Sequence, residues 1–544
     1  MLPKIHSAFS CKHSRQAGMF ILLLCLLCGG LWSLWLGQDV SFDLLNYHLY
    51  LPYAFLHGRF GLDLIAAGAT HSFFNPLADI PYYLLFVHLN DWPRLTAFLQ
   101  GLWYGLFLFF AWKTVALLFS HGRLARVRLL RLNAFLLGVT GMAAATQAGM
   151  SSNEVMLGAV LLAALYLLLY KHPSDPRAPH YWAWAAFICC AAAGLKYTCA
   201  PVCAGLGAAG LYLWGRYQRR GNVLFLCTVC GAAGFLLTAG YFLWRNWSWT
   251  GNPFFPYFNA FFHSPYFVSE NLPNGWAVPS TFLEVFSLPF TRLRFVLEFA
   301  VDWRVMLGYV AAAVLALGAL FRRGKKLNAR WTALWLVFVL AYIAWAVFFA
   351  SMRYAAILEF CGALLAVCAL RSLFGSVTGA ALATVLSIII FFQPMPQWSR
   401  QGFFKQNQTF ANLPFIENNA LVLLGGHVSF LVPFFNPKAQ YVGGIWFRPD
   451  EQPQKTEMEM LAVNRLQLPD YRHRFDPLIR QKVCEHDGPL YILGPWTDMM
   501  WQPVTWQRYG VLPDEAPESC RFFNSSVNIQ WKGFVLCPAR KNCR

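Results

Sequence analysis

Apolar runs of about 18 residues or more recur along the first three-quarters of the chain, the length a helix needs to cross a bilayer. No other feature narrows the possible folds as far. Of 544 residues, 57% are hydrophobic and only 12% charged, which excludes a soluble multidomain protein. Aromatic residues make up 17%, with 22 tryptophans, and Trp and Tyr gather at membrane–water interfaces. The formal charge of +18 does not point to nucleic acid. The basic residues are scattered among short loops and form no patch interleaved with stacking aromatics.

Lys4, Lys12 and Arg15 precede an apolar run from Ala17 to Leu36. The run exceeds a usual signal h-region and no small-residue cleavage site follows it. An uncleaved first span entering from the cytoplasm is therefore expected. The positive-inside rule threads the rest, with spans at about 17–37, 94–118, 132–150, 155–170, 181–195, 199–214, 223–244, 304–320, 331–350, 355–370 and 377–393. Arg123, Arg126, Arg128 and Arg131 then fall inside, as do the other basic clusters. Segment 75–90 is too broken by proline to span, and counting it would move the four-arginine loop outside. It is expected to lie on the membrane surface.

The expected architecture is a polytopic α-helical membrane protein with about eleven transmembrane helices. Residues 1–16 form a cytoplasmic N-terminus and 17–393 the transmembrane domain, with external loops 38–92 and 245–302. Residues 394–544 form a small C-terminal α/β extracytoplasmic domain, with strand-like runs at Ala420–Gly426, Pro489–Gly494 and Gly533–Leu536. Most of the 15 cysteines lie in apolar spans as small hydrophobes. Cys484, Cys520, Cys537 and Cys543 lie in the tail, where an oxidising compartment permits any of three disulfide pairings.

Chemistry is expected from the polar residues of the external face, because a charge at a bilayer usually has a partner or a task. Asp43, just past the first span, suits a general base if partial burial raises its proton affinity. Its bland reading is a solvated loop acid. Asp39 is its neighbour and competitor, and Asn46, Tyr47 and His48 follow. Asn153-Glu154 forms a tight external turn, and equally a helix N-cap with favourable dipole placement. Lys196, Arg245 and Arg353 stand at external helix ends. Singly each reads as a snorkelling cation; together they suit a lipid phosphate. Asn252 sits in a Gly-Asn-Pro turn with aromatic anchors. His48, His57, His71 and His88 share the first loop, where solvated or hydrogen-bonded side chains are expected ahead of metal binding.

The order of these residues resembles that of the GT-C glycosyltransferases, integral membrane enzymes that use polyprenyl-phosphate-linked sugars. The pattern is an acid in the first external loop (Asp43), surface helices in that loop, a second acidic turn (Asn153-Glu154), a lysine after span 5 (Lys196) and a trailing external domain. It is most similar to the aminoarabinose transferase and protein mannosyltransferase branch, especially the RgtA/B/C/D-like group. Arg245 to Pro256, with its Arg-Asn and Gly-Asn-Pro, and Arg353-Tyr354 also look like that group. The resemblance covers roughly residues 17–393. It implies a bacterial inner-membrane protein with a periplasmic tail. It further implies a polyprenyl-phosphate sugar donor held by Lys196, Arg245 and Arg353, and an inverting attack assisted by Asp43. The acceptor would be a glycan, lipid or protein, with Asp39, His48, Glu154, Asn252 and Tyr354 as further binding residues. Ser-Phe-Asp replaces the familiar paired acids and Asn153 replaces an acid. Both departures weaken the case for a bound divalent metal, and no cofactor is indicated.

A transporter or lipid flippase is the competing class. It calls for unwound, Gly/Pro-interrupted helices and two pseudo-symmetric halves, neither of which is visible in the sequence. A non-catalytic export component would not need Asp43, Glu154 and Lys196 on one side.

Overall fold

The computed structural model describes residues 2–119, 125–217, 221–267, 279, 281–291, 302–321, 327–393, 396, 398–443, 474–496, 506–514, 517–527 and 533–543. The chain divides into two compact units. One comprises Met1–Gly37, Ala97–Ala239 and Trp276–Trp398; the other gathers Gln38–Thr96, Gly240–Gly275 and Ser399–Arg544. The second unit thus joins the tail to parts of both loops read as external.

The chain is a polytopic α-helical membrane protein. Among the described residues, seven helices are long and apolar enough to cross a bilayer: Gln16–Leu36, Pro93–Leu118, Tyr197–Gly215, Val223–Thr250, Trp303–Leu320, Ala329–Phe348 and Ala356–Phe391. The last contains both of the expected spans at 355–370 and 377–393. Gly375 breaks it at φ 78° and ψ 178°, a conformation open to glycine and strained for other residues. The chain folds back there, since a β-carbon on Gly379 would lie 2.9 Å from Arg371 Cα. Glu154–Tyr170 and Ala178–Leu195 are shorter apolar helices. Glycines let helices approach closely: a β-carbon on Gly308 would sit 2.5 Å from Gly362 Cα.

The expected span at 132–150 is not one helix. Ala125–Val139 ends, Met142–Ala145 makes a single turn, and irregular backbone runs on to Asn153. Two buried carboxylates sustain the break. Asp302 accepts from Met142 N–H at 3.0 Å, and Glu359 accepts from Ala143 N–H at 2.9 and 3.0 Å. Arg304 compensates them, donating to Asp302 at 2.6 Å, to the Leu137 carbonyl at 2.6 Å and to Thr140 at 2.8 Å. A window over 132–150 holds no charged residue and is apolar apart from Asn133, Thr140, Thr146 and Gln147. The groups that open the helix come from distant segments.

In the second unit, β1 (Gln38–Asp39) pairs antiparallel with β2 (Arg400–Gln401). The remaining strands are β3 (Phe410–Ala411), β4 (Leu421–Leu424), β5 (Gln440–Gly443), β6 (Leu490–Pro495), β7 (Val511–Pro513), β8 (Arg521–Ser525) and β9 (Phe534–Lys541). They form a mixed sheet in the order β3-β8-β9-β6-β4-β5, with β7 also paired to β9. β4 is parallel to both β5 and β6. Its Leu421 and Leu423 pack in one core with Phe475, Ile479 and Val483 of the tail; Val422 and Leu424 pack in another with Leu44, Leu45 and Tyr47. Burial on both faces explains its unbroken apolar sequence. The first loop is pinned to the sheet edge: Leu64 N–H donates to the Tyr441 carbonyl at 3.0 Å. The buried pair Arg59–Asp63 supports it, with Arg59 donating to the Pro437 and Ala439 carbonyls and Asp63 accepting from Tyr441 N–H. Disulfides join Cys484 to Cys543 and Cys520 to Cys537, selecting one of the three possible pairings.

Segment 75–90 carries the short helix Ile80–His88 within this unit. It is too short to span.

Candidate functional site

Asp43 immediately precedes a π-helical turn, Leu44–His48, whose five residues are all buried while Asp43 is partly exposed. The wider turn places residue i+5 over residue i, so positions 43 and 48 share a side; such turns recur at functional sites. Polar groups gather behind it. His48 Nδ1 meets Asp79 Oδ1 at 2.7 Å, both side chains buried, and His48 Nε2 has no hydrogen-bond partner among the described residues. Asn46 Nδ2 lies 3.1 Å from His71 Nδ1, and the His71 ring stacks on Tyr47 at 4.9 Å.

The tail adds His427, in the loop after β4. Its ring meets Phe42 edge-on at 4.3 Å. Burial and the nearby His71 push its pKa down to about 4, against the opposite pull of Asp43. It is neutral at physiological pH. Asp39 is placed differently. It is buried in β1 opposite Arg400, and one carboxylate oxygen accepts from Ser41 N–H at 2.9 Å. Burial lowers the Arg400 pKa, and Asp39 opposes that shift.

Arg245 belongs to the same unit. Its guanidinium lies 3.9 Å from the centre of the Phe60 ring and 5.5 Å from that of Phe73. Both terminal nitrogens donate to the Ser72 carbonyl, at 3.3 and 3.2 Å. Among the described residues its buried Nε has no hydrogen-bond partner and no carboxylate pairs with it. Asp63 lines the same cavity of about 20 Å³, beside Tyr50, Gly61 and Trp249, but is engaged by Arg59 and the Tyr50 hydroxyl. Asn252 is fully buried, and its amide works inside its own turn. It donates to the Tyr257 carbonyl at 2.9 Å and to Asn259 at 3.2 Å, and accepts from Phe254 N–H at 2.9 Å.

The helical unit holds the other expected residues. Glu154 opens its helix after Asn153, which takes a left-handed conformation at φ 63°. Lys196 Nζ donates to Glu154 Oε1 and, at 3.1 Å, to the Ser152 carbonyl. Arg353 Nη2 lies 3.8 Å from the same Glu154 oxygen. Tyr354 stands beside both cations, its ring 5.7 Å from Lys196 Nζ and 5.6 Å from the Arg353 guanidinium. Burial draws the Lys196 pKa down and Glu154 draws it up; the net shift is upward. One carboxylate oxygen thus meets two cations. Glu154, Lys196, Arg353 and Tyr354 are brought together in this unit. Asp39, Asp43, His48, Arg245 and Asn252 belong to the other.

Asp79, His427 and the Asp302–Arg304–Glu359 cluster did not emerge from the sequence. Asp79 lay in a segment read as a surface helix, and His427 followed a strand with no motif around it. Glu359 had the one available signal, an acid inside an apolar run. Among the described residues, no group of three His, Cys, Asp or Glu side chains could hold a metal ion.

No protein-family model matches the chain, and no curated protein matches it either. Among solved structures it aligns with the crystal structure of ArnT from Cupriavidus metallidurans bound to undecaprenyl phosphate. The identity is 14%, over 96% of this chain and 98% of that one, with a TM-score of 0.33. Similarity at that level leaves the family a resemblance, and the site must be interpreted from its own residues.

Proposed function

We propose that this protein is a membrane glycosyltransferase that moves a sugar from a polyprenyl-phosphate donor to an extracytoplasmic glycan, lipid or protein. Asp43 takes the proton from the acceptor hydroxyl. The oxygen attacks the anomeric carbon with inversion, and the lipid phosphate departs. Cations at the developing phosphate charge lower that barrier.

The observation that carries this reading is Arg245. A guanidinium held against two aromatic rings, with a buried Nε and no carboxylate paired to it among the described residues, suits an anionic ligand. A phosphate monoester or diester fits its planar donors. Asp43 supplies the complementary group in the same unit. Lys196 and Arg353, which meet at Glu154, are further cations for an anionic lipid.

The test is sugar transfer by the purified protein in detergent or nanodiscs, using a panel of polyprenyl-phosphate sugars. Arg245→Met is expected to raise the donor KM roughly tenfold or more, with kcat less affected. A wild-type protein that transfers no sugar from any lipid phosphate would sink the reading.

One observation favours the transporter alternative. The break at 140–141 is the kind of interrupted helix transporters use. Yet Asp302, Glu359 and Arg304 already satisfy one another and the opened backbone there. A liposome assay for lipid movement without sugar transfer separates the two classes.

A further inference from the structure

In the helical unit, the irregular segment between the helix break and Glu154 is organised around one side chain. Gln147 is 2% exposed, and its whole amide is engaged. Nε2 donates to the Ala143 carbonyl at 2.8 Å and to the Arg353 carbonyl at 3.0 Å; Oε1 accepts from Ser152 Oγ at 3.3 Å. Its backbone carbonyl accepts from Met150 N–H at 3.1 Å, which closes a turn. These bonds run to both walls of the cation cluster. The Ser152 carbonyl accepts from Lys196 Nζ at 3.1 Å, and Arg353 lies in the short turn Met352–Tyr354. One amide therefore ties the backbone that carries one cation to the residue that holds the other. Its third partner, Ala143, is itself fixed, because Glu359 takes the Ala143 N–H.

We propose that Gln147 is a positioning residue that sets the separation of Lys196 and Arg353, so that one anionic group meets both. That the anion is a lipid phosphate rests on the transferase reading; the positioning does not. A buried polar network with every member satisfied holds a single geometry, and cations already placed spend less on ordering when the ligand arrives. The residue type fits the task. Two backbone carbonyls need two N–H donors, and the Ser152 hydroxyl needs an acceptor. A glutamine amide supplies all three; a glutamate lacks the donors, and a methionine of similar length lacks both functions.

The test uses the full-length protein in nanodiscs, with Gln147→Met, Lys196→Met and the double variant. Gln147→Met is expected to raise the donor KM about fivefold or more, with kcat much less affected. In the Lys196→Met background the same substitution is expected to change KM by less than about twofold, because a cation it positions is gone. A merely structural glutamine gives the same KM factor in both backgrounds. Hydrogen exchange adds a readout that needs neither ligand nor activity. Gln147→Met is expected to speed exchange at both 148–153 and 352–355, since its amide holds both segments. A wild-type protein that transfers no sugar sinks the transferase reading and leaves the exchange result readable. Unchanged exchange at 352–355, an unchanged donor KM, or a KM effect undiminished by Lys196→Met overturns the positioning role.

Discussion

Asp39 and Asp43 have the same side chain on the same short loop, and the fold gives them different work. Asp39 is buried against Arg400 and its own turn; Asp43 is partly exposed at the start of a π-helical turn. Asp39→Asn should therefore act mainly on stability, costing up to about 3 kcal/mol by removing the charge opposite Arg400, read as a lower melting temperature. Arg245→Lys keeps the charge but loses the planar stack on Phe60, and is expected to weaken donor binding nearly as much as removal does. His427 gives a pH signature. Its folded pKa of about 4 lies below the ordinary histidine value of 6.5, so the unfolded chain binds the proton first. Stability should fall as pH drops from 6.5 toward 4 and level off below, and His427→Gln should flatten that decline in melting curves. Asp43, Lys196, Arg245 and Arg353 were legible because a charge stands out in an apolar sequence. His427 and Asp79 were not, since their meaning comes from residues far away in the chain.

At the scale of elements, periodicity and length found most of the helices, and the exceptions share a cause. The 132–150 run is uncharged and mostly apolar, yet it opens at Gly141 because Asp302 and Glu359 take its free N–H groups. Glu359→Ala leaves Ala143 N–H unsatisfied and the Asp302–Arg304 pair altered. It should cost about 3 kcal/mol or more, read as lost yield and an earlier melting transition. Gly375 marks the turn between two antiparallel halves that a hydropathy window already separates. Its φ of 78° means that Gly375→Ala should destabilise by about 1–3 kcal/mol without touching either half's packing.

Across the whole molecule, the tail's strands were legible as short apolar runs: β4, β6 and β9 lie where 420–426, 489–494 and 533–536 predicted them. Their partners were not. The second unit takes its core from three segments separated by membrane helices, and no local pattern announces that Leu44, Val422 and Phe534 will share it. The disulfides Cys484–Cys543 and Cys520–Cys537 close this unit. Alkylation of unreduced protein should leave all four thiols unmodified, and reduction should cost about 3–5 kcal/mol of the unit's stability. The central claim is that Asp43 takes the acceptor's proton. It is tested most directly by single-turnover transfer with Asp43→Asn, alongside donor binding and a melting curve for the same preparation. The expected result is loss of transfer to background with unchanged donor affinity and melting temperature. Transfer at close to the wild-type rate would contradict it.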